Sequence, residues 1–342
     1  MPDFDEQMMS RCIELAKNGR SSCRPNPMVG CVIVYQNEII AEGWHKKAGE
    51  AHAEVNAVNQ LKNKEILSEC EIYVSLEPCS HFGKTPPCSD MIIRNGFKRV
   101  IIGTTDPNSV VSGKGIEKIK NAGIEVKLGV LEEECQNLNS RFFSFHLKKR
   151  PYVILKWAKT GDGFMADESG EQKWITNSYS KQLVHKWRSE EDSVLVGYNT
   201  AKFDDPQLNI RLWTGVNPTR LVIDSDLSLS EDLNLFDSSQ PTIIFTEKKK
   251  NSTNNLKYIQ LNFDEKLEES ILNQLYELGI QSVIIEGGRK TLDGFIQKEL
   301  WDEARIFSSS TNWGIGIPAP EIHGKLIESK KIASDLLEIF RK

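Results

Sequence analysis

Ala51-His52-Ala53-Glu54, followed by Leu76-Glu77-Pro78-Cys79 and, after eight intervening residues, Cys88, is the part of this chain that decides how the rest is read. One imidazole and two thiols hold a zinc ion with a fourth position left open, and three protein ligands plus an open position mark a catalytic rather than a structural zinc. Glu54 is not needed as a ligand and is free to carry protons. Two residues apart on a helix means about 200° apart. At the first turn the objection weakens, because a metal above the helix N-terminus is reached by His52 while Glu54 reaches the water beside it. Each residue alone has a plainer use, since a lone Cys is usually a small core residue. The ordered set is what carries the inference.

The scaffold around that set alternates strands and helices. Residues 5–18 have the spacing of an amphipathic helix, Val29–Tyr35 and Ile39–Glu42 form a hairpin, and His52–Leu61 reads as a helix. Ile72–Leu76, Arg99–Gly103 and Ile124–Leu128 read as strands, with helices over Ser89–Asn95 and Gly115–Asn121 between them and a longer helix over Glu132–Leu147 after them. Lys148-Lys149-Arg150-Pro151 then places a domain boundary, giving units 1–147 and 148–342. The pattern restarts with a strand at Tyr152–Ala158, a helix at Ser178–Arg188 with Ser178 as N-cap, strands at 193–196, 220–223 and 242–246, and a helix at Lys266–Leu278. The strand Ser282–Ile285 ends in Glu286-Gly287-Gly288, ahead of a helix over Thr291–Glu299. Such alternation predicts an α/β protein, with a mostly parallel sheet and helices on both faces in the first half and a second α/β domain after it.

With 342 residues, two domains are expected. Apolar residues at 39% and charged residues at 27% suit a soluble enzyme, and the net charge of -5 without a long basic run disfavours a nucleic-acid partner. The acidic start Met1-Pro2-Asp3-Phe4-Asp5-Glu6 does not read as a signal peptide, and no apolar run approaches the roughly 20 residues of a membrane span. Seven scattered Cys, two of them assigned to the metal, fit a reducing cytoplasm.

His-x-Glu with Pro-Cys and a second Cys resembles the zinc-dependent deaminases, in which a metal-held hydroxide attacks an amidine-like carbon of a base. The long interval between the thiols narrows the resemblance. The segments Arg24-Pro25-Asn26-Pro27-Met28-Val29-Gly30, Gly43-Trp44-His45, Ala48-Gly49-Glu50-Ala51-His52-Ala53-Glu54 and Ser75–Cys88 resemble the pyrimidine deaminase of riboflavin biosynthesis over most of 5–147. The second half resembles the reductase partner of the same bifunctional family. Its marks are Arg150–Lys156, Gly161-Asp162-Gly163, Trp174-Ile175-Thr176, His185–Arg188, Asp192–Gly197, Asp204–Arg211 and Glu286-Gly287-Gly288.

The resemblance implies a cytidine-deaminase-like three-layer domain followed by a dihydrofolate-reductase-like domain, one zinc ion, NADPH, and a homo-oligomer (dimer or tetramer). The implied reactions are hydrolysis of the C2 amine of 2,5-diamino-6-(5-phosphoribosylamino)pyrimidin-4(3H)-one, then reduction of the ribosyl group to give 5-amino-6-(5-phosphoribitylamino)uracil. His52, Cys79 and Cys88 are the expected zinc ligands and Glu54 the proton shuttle.

Asn26, His45, Lys84 and Asn108 are expected at the pyrimidine ribotide. Asn26 sits in a loop between two prolines, and Lys84 between the two thiols suits the ribose phosphate. In the second half the substrate contacts are Lys156, Gln172, Arg188, Leu208, Arg211 and Glu286. Guanidinium forks match phosphate oxygens, and a lysine among apolar neighbours needs an anion. Ala158, Trp174, Thr176, Thr200, Asp204, Ser225 and Gly288 match cofactor contacts, and the Gly287-Gly288 N–H groups suit cofactor phosphates. Turn Asn, solvated Lys, surface ion pairs and capping Thr are the plainer uses of the same residue types. The sequence departs from the family at Gln172, commonly Ser, at Arg289, usually a small residue, and at Asn108-Ser109, usually Asn-Pro.

Two other classes compete with this reading. A nucleic-acid (tRNA adenosine) deaminase predicts a short Cys-x-x-Cys interval and a basic face, and the chain shows neither. A zinc-stabilised, non-catalytic scaffold has no use for Glu54.

Overall fold

The computed structural model describes residues 3–82, 86–109, 111–167 and 174–342. The chain divides into two compact units, Met1–Lys148 and Lys149–Lys342.

The first unit runs α1 (Phe4–Ala16), β1 (Gly30–Tyr35), β2 (Glu38–Trp44), α2 (Ala53–Val58), β3 (Glu71–Leu76), α3 (Cys88–Asn95), β4 (Arg99–Thr104), α4 (Lys114–Asn121), β5 (Glu125–Leu128), α5 (Glu132–Leu138) and α6 (Ser140–Lys148). A capping box starts α1: Asp3 Oδ1 accepts from the Glu6 N–H at 2.8 Å, and Glu6 Oε2 accepts from the Asp3 N–H at 3.2 Å. The sheet order is β2-β1-β3-β4-β5. β1 is antiparallel to both its neighbours, whereas β3, β4 and β5 are parallel.

Strand periodicity sorts the core into two layers. Cys31, Ile33, Ile72, Val74, Val100 and Ile102 pack with Ala53 and Ala57 of α2, Ile92 of α3, and Ile116 and Ile119 of α4. Val32, Val34, Tyr73 and Ile101, one residue out of phase, pack with Met9, Cys12 and Leu15 of α1 and Cys135 of α5. The result is the three-layer, cytidine-deaminase-like arrangement.

The second unit comprises β6 (Tyr152–Lys159), β7 (Phe164–Ala166), α7 (Ser178–Glu190), β8 (Ser193–Val196), α8 (Tyr198–Asp204), β9 (Thr219–Ile223), β10 (Thr242–Thr246), β11 (Leu256–Gln260), α9 (Leu267–Glu277), β12 (Ser282–Ile285), α10 (Arg289–Gln297), β13 (Glu303–Ser308), β14 (Ile317–Pro318), β15 (Lys325–Ile332) and β16 (Asp335–Arg341). Its main sheet is β11-β10-β9-β8-β12-β6-β13-β16-β15, and β7 pairs with β14 apart from it. Every pairing from β11 to β13 is parallel; β16 and β15 add an antiparallel edge. Val153, Leu155, Val283 and Ile285 face α9 and α10. Ile154, Val194, Val196 and Ile284 face α7 and α8. This is the dihydrofolate-reductase-like half.

Several sequence expectations change. The sheet of the first unit is not mostly parallel, since two of its four strand pairings are antiparallel. The helix expected over Glu132–Leu147 is two helices, broken at Asn139 (φ -108°, ψ 28°). The cap of α7 is Asn177, not Ser178, because the Asn177 side chain accepts from the N–H groups of Tyr179 and Ser180 at 2.9 and 3.0 Å. The helix expected from His52 to Leu61 starts at Ala53 and ends at Val58, with His52 outside it in an extended conformation.

Candidate active sites

In the first unit, His52 stands at the N-cap of α2 with φ -72° and ψ 168°. That backbone, not helical geometry, lets His52 and Glu54 serve one point. Cys79 follows β3 and Pro78, and Cys88 is the first residue of α3. His52 Nδ1 lies 3.5 Å from Cys79 Sγ and 3.3 Å from Cys88 Sγ, and the Cys88 N–H donates to Cys79 Sγ at 3.3 Å. The three donor atoms fall within 4.8 Å of one another. Metal bonds of about 2.0–2.3 Å in a tetrahedral site set neighbouring donors about 3.5 Å apart, so one nitrogen and two sulfurs at these separations fit zinc.

The Cys88 contact, helped by His52, pulls Cys79 down to about 4, while the same contact and burial push Cys88 up. Glu54 is buried at 3% exposure, and burial raises its carboxyl.

Asn26 and His45 join this site. Asn26 Nδ2 lies 3.0 Å from His45 Nε2, His45 Nδ1 is 3.2 Å from the Ala51 carbonyl, and the His45 and His52 rings meet edge-on at 5.3 Å. A carbonyl only accepts, so Nδ1 carries the His45 proton and Nε2 accepts from Asn26. Burial lowers the His45 pKa. Asn56, which sequence reasoning missed, donates to the Trp44 and Ala51 carbonyls at 2.9 and 3.1 Å and fixes the approach to His52. Lys84 lies outside the described residues.

Glu77, two residues before Cys79, has a structural role of its own. Its buried carboxylate accepts four main-chain N–H groups: Asp106 at 3.2 Å and Gly113 at 2.9 Å on Oε2, Gly115 at 2.9 Å and Ile116 at 3.3 Å on Oε1. The segment holding Cys79 is thereby tied to the β4–α4 connection, which carries Asn108. Asn108 donates its N–H to Asp106 Oδ1 at 2.8 Å, and burial pushes Asp106 up to about 6. Gly115 has no alternative here, since a Cβ would stand 2.0 Å from the Pro78 carbonyl oxygen.

In the second unit, strand carboxyl ends surround a cavity of about 370 Å³, where ligands of open α/β sheets bind. It brings together Lys156, Trp174, Arg188, Thr200, Asp204, Leu208, Arg211 and Glu286, along with Val196, Asp205, Pro206, Gln207 and Asn234. Glu286 is held by two cations: Arg188 Nε and Nη2 donate to its two oxygens at 2.7 and 2.8 Å, and Lys156 Nζ stands 3.4 Å from Oε2. Arg211 donates to Asn209 Oδ1 at 2.9 Å. Burial raises Asp204, which lines the cavity.

Ala158, Thr176, Ser225 and Gly288 are not among the lining residues. Gly288, at φ 53°, caps α10 beside Thr200, whose Oγ1 would stand 3.3 Å from an added Cβ. Ser225 lies in the turn after β9 and accepts at its carbonyl from Thr246 Oγ1 at 2.8 Å. Ala158 packs against the α7–α8 core, and Thr176 directly precedes the α7 cap. Gln172 lies outside the described residues. Arg289 is engaged by Asp293 at 2.6 Å and by the carbonyls of Pro318 and Ala319 at 2.7 and 3.1 Å. Among the described residues, no helix is long and apolar enough to cross a membrane.

Comparison with known proteins divides the chain in the same order. The cytidine and deoxycytidylate deaminase zinc-binding region matches residues 2–104, and the RibD C-terminal domain matches 151–330. The riboflavin biosynthesis protein RibD of Aquifex aeolicus is 39% identical over 99% of this chain and 99% of its own. That of Bacillus amyloliquefaciens is 38% identical over 96% and 90%. The crystal structure of a diaminohydroxyphosphoribosylaminopyrimidine deaminase/5-amino-6-(5-phosphoribosylamino)uracil reductase from Thermotoga maritima superimposes with a TM-score of 0.90 at 40% identity, covering 99% and 98%. Acinetobacter baumannii RibD superimposes at 0.89 with 32% identity, covering 99% and 98%.

Proposed function

The chain belongs to the RibD family, the bifunctional zinc-binding deaminases and NADPH-dependent reductases of riboflavin biosynthesis, and on that premise we propose how its residues divide the two reactions. Residues 1–147 carry the deamination of the diaminopyrimidine ribotide and 148–342 the reduction of its ribosyl group. The observation that supports this most directly is the convergence of His52, Cys79 and Cys88 within 4.8 Å, with Glu54 buried beside them.

In the deaminase half, His52 Nδ1 and the two sulfurs hold zinc. A zinc ion there supplies the Lewis acidity that makes water nucleophilic near neutral pH. Glu54 takes a proton from the attacking water and delivers protons to the ring nitrogen and the departing amine, so that the water oxygen stays on C2 as the carbonyl oxygen and the C2 amine leaves as ammonia. Asn26, with its amide NH2 given to His45, presents Oδ1 to donors on the pyrimidine edge. His45 and Asn108 complete the polar wall, and Lys84 serves the ribose phosphate.

In the reductase half, NADPH supplies the hydride. Trp174, Thr200, Asp204 and the Gly288 backbone hold the cofactor, together with Ala158, Thr176 and Ser225. Arg211 and Lys156 offer the positive charge that the ribotide phosphate and ribose need, with Leu208 and Gln172 beside them. Glu286 keeps Lys156 and Arg188 in place and faces the same cavity. The chain works in the cytoplasm, on a small molecule rather than a nucleic acid, and as a homo-oligomer. The unpaired cysteines support the first point, the acidic balance the second and the family resemblance the third.

A coupled assay of the purified protein on 2,5-diamino-6-(5-phosphoribosylamino)pyrimidin-4(3H)-one tests the reading. Ammonia release must precede NADPH consumption. Bound zinc with neither activity would establish the scaffold alternative instead.

A further inference from the structure

The segment that carries Asn26 is anchored at three successive residues. The Met28 N–H and C=O are both taken by the side chain of Asn139: Oδ1 accepts from the N–H at 2.8 Å, and Nδ2 donates to the carbonyl at 2.8 Å. The Val29 carbonyl accepts from the His45 N–H at 2.9 Å, and the Gly30 N–H donates to Ser75 Oγ at 3.1 Å. Of these side-chain anchors, Asn139 comes from farther along the sequence than Ser75. It is 3% exposed, 111 residues from Met28, and outside the 2–104 region matched to the deaminase family.

An amide paired with both polar groups of one residue imitates the exchange between adjacent β-strands. It also explains the broken helix. Asn139 leaves helical backbone angles at the end of α5, yet its carbonyl still accepts from the Phe143 N–H at 2.9 Å to begin α6. Neither half of the clamp is exchangeable, because a carboxylate cannot donate to the Met28 carbonyl and an alkyl group does neither.

We infer that Asn139 is a positioning residue for the deamination: it fixes the Met28 backbone and so sets where Asn26, two residues earlier, meets the pyrimidine. This rests on the reading of Asn26 as a substrate contact. Pro27 is the single residue between the clamp and Asn26, and its ring fixes one of the two intervening soft dihedrals of its own backbone. Displacement of Met28 is therefore passed on rather than absorbed.

The test uses the full chain with saturating zinc and the diaminopyrimidine ribotide, and reads KM, kcat, zinc content and the reductase rate on the deaminated intermediate. Asn139→Asp keeps size and one hydrogen bond and should raise the deaminase KM about tenfold, with kcat and zinc content within about twofold of wild type. Asn139→Ala should move KM further in the same direction. The double variant Asn26→Ala/Asn139→Asp should be no worse than Asn26→Ala alone, since both changes remove the same contact.

An unchanged KM in Asn139→Asp when Asn26→Ala raises it would overturn the inference. So would additive losses in the double variant, loss of zinc, or loss of the deaminase melting transition in both Asn139 variants. An unchanged KM in Asn26→Ala with a raised KM in Asn139→Asp would instead overturn the reading of Asn26.

Discussion

Arg188 grips Glu286 with both ends of its guanidinium fork, Nε on one carboxylate oxygen at 2.7 Å and Nη2 on the other at 2.8 Å, while Lys156 approaches from β6 at 3.4 Å. Burial alone would raise the Glu286 carboxyl; the two cations overcome it and hold it at about 2. The folded-state value lies below the unfolded value of roughly 4.3. The stabilisation is therefore complete above that pH and is lost as pH falls towards 2.

Glu286→Gln should destabilise the second unit by about 3 kcal/mol near neutral pH, because two cations lose their partner in a buried setting. Thermal melts of wild type and variant should converge as pH is lowered from about 5 to about 2. A gap that stays constant over that range would show that the charge is not what matters.

Lys156→Ala should lower NADPH-dependent reduction at least about 100-fold, the order expected when a charge-assisted contact to substrate is removed. Ammonia release should be spared, and its parallel loss would disprove the assignment of the two reactions to separate halves.

Glu54→Gln should retain zinc and lose deamination by about 10²–10⁴-fold, the usual share of a general acid–base group. Reduction of the deaminated intermediate should continue. Zinc analysis beside the two rates separates a lost proton carrier from a lost metal.

Chelation, or Cys88→Ser, should remove zinc together with ammonia release and leave NADPH consumption on the deaminated intermediate intact. Restoring zinc to the chelated protein should restore ammonia release. The readouts are metal content by elemental analysis and the two rates.

Glu77→Gln retains one oxygen that accepts but turns an NH2 towards two N–H groups. The expected cost is about 2–3 kcal/mol, from buried donors left without acceptors. Calorimetry of the full chain should show the transition of the first unit moving down while that of the second stays.

The metal set was legible because its chemistry is local to short motifs. His52, Glu54, Cys79 and Cys88 are rare as a group, and strand and helix ends bring them together. Much of the layered fold was legible too, since Cys31–Val34 is a short apolar run of the kind that a strand buried on both faces shows. The clamp from Asn139 was not, because amide pairing to a backbone 111 residues away leaves no periodic trace. It also interrupts a stretch whose propensity favours one continuous helix. The cap shift from Ser178 to Asn177 turns on which of two adjacent capping residues reaches Tyr179 and Ser180, and the motif fits either. The antiparallel edge β15–β16 went unread: β15 is exposed along most of its length, so it lacks the apolar run that marks a strand. Glu77 was hidden by its own motif, where it reads as a neighbour of Cys79 rather than as an acceptor for residues about 30–40 positions on.

Glu77 also acts as a ruler. Its two oxygens are spent on N–H groups at 106, 113, 115 and 116, so one carboxylate fixes the two ends of this connection and not the residues between 106 and 113. An insertion between 113 and 116 would slide an amide out of reach, whereas one between 108 and 112 need disturb none of the four. Tolerance of length change in this connection is thus confined to the tip of the loop, which can be rebuilt while the four bonds to Glu77, next but one to Cys79, stay as they are.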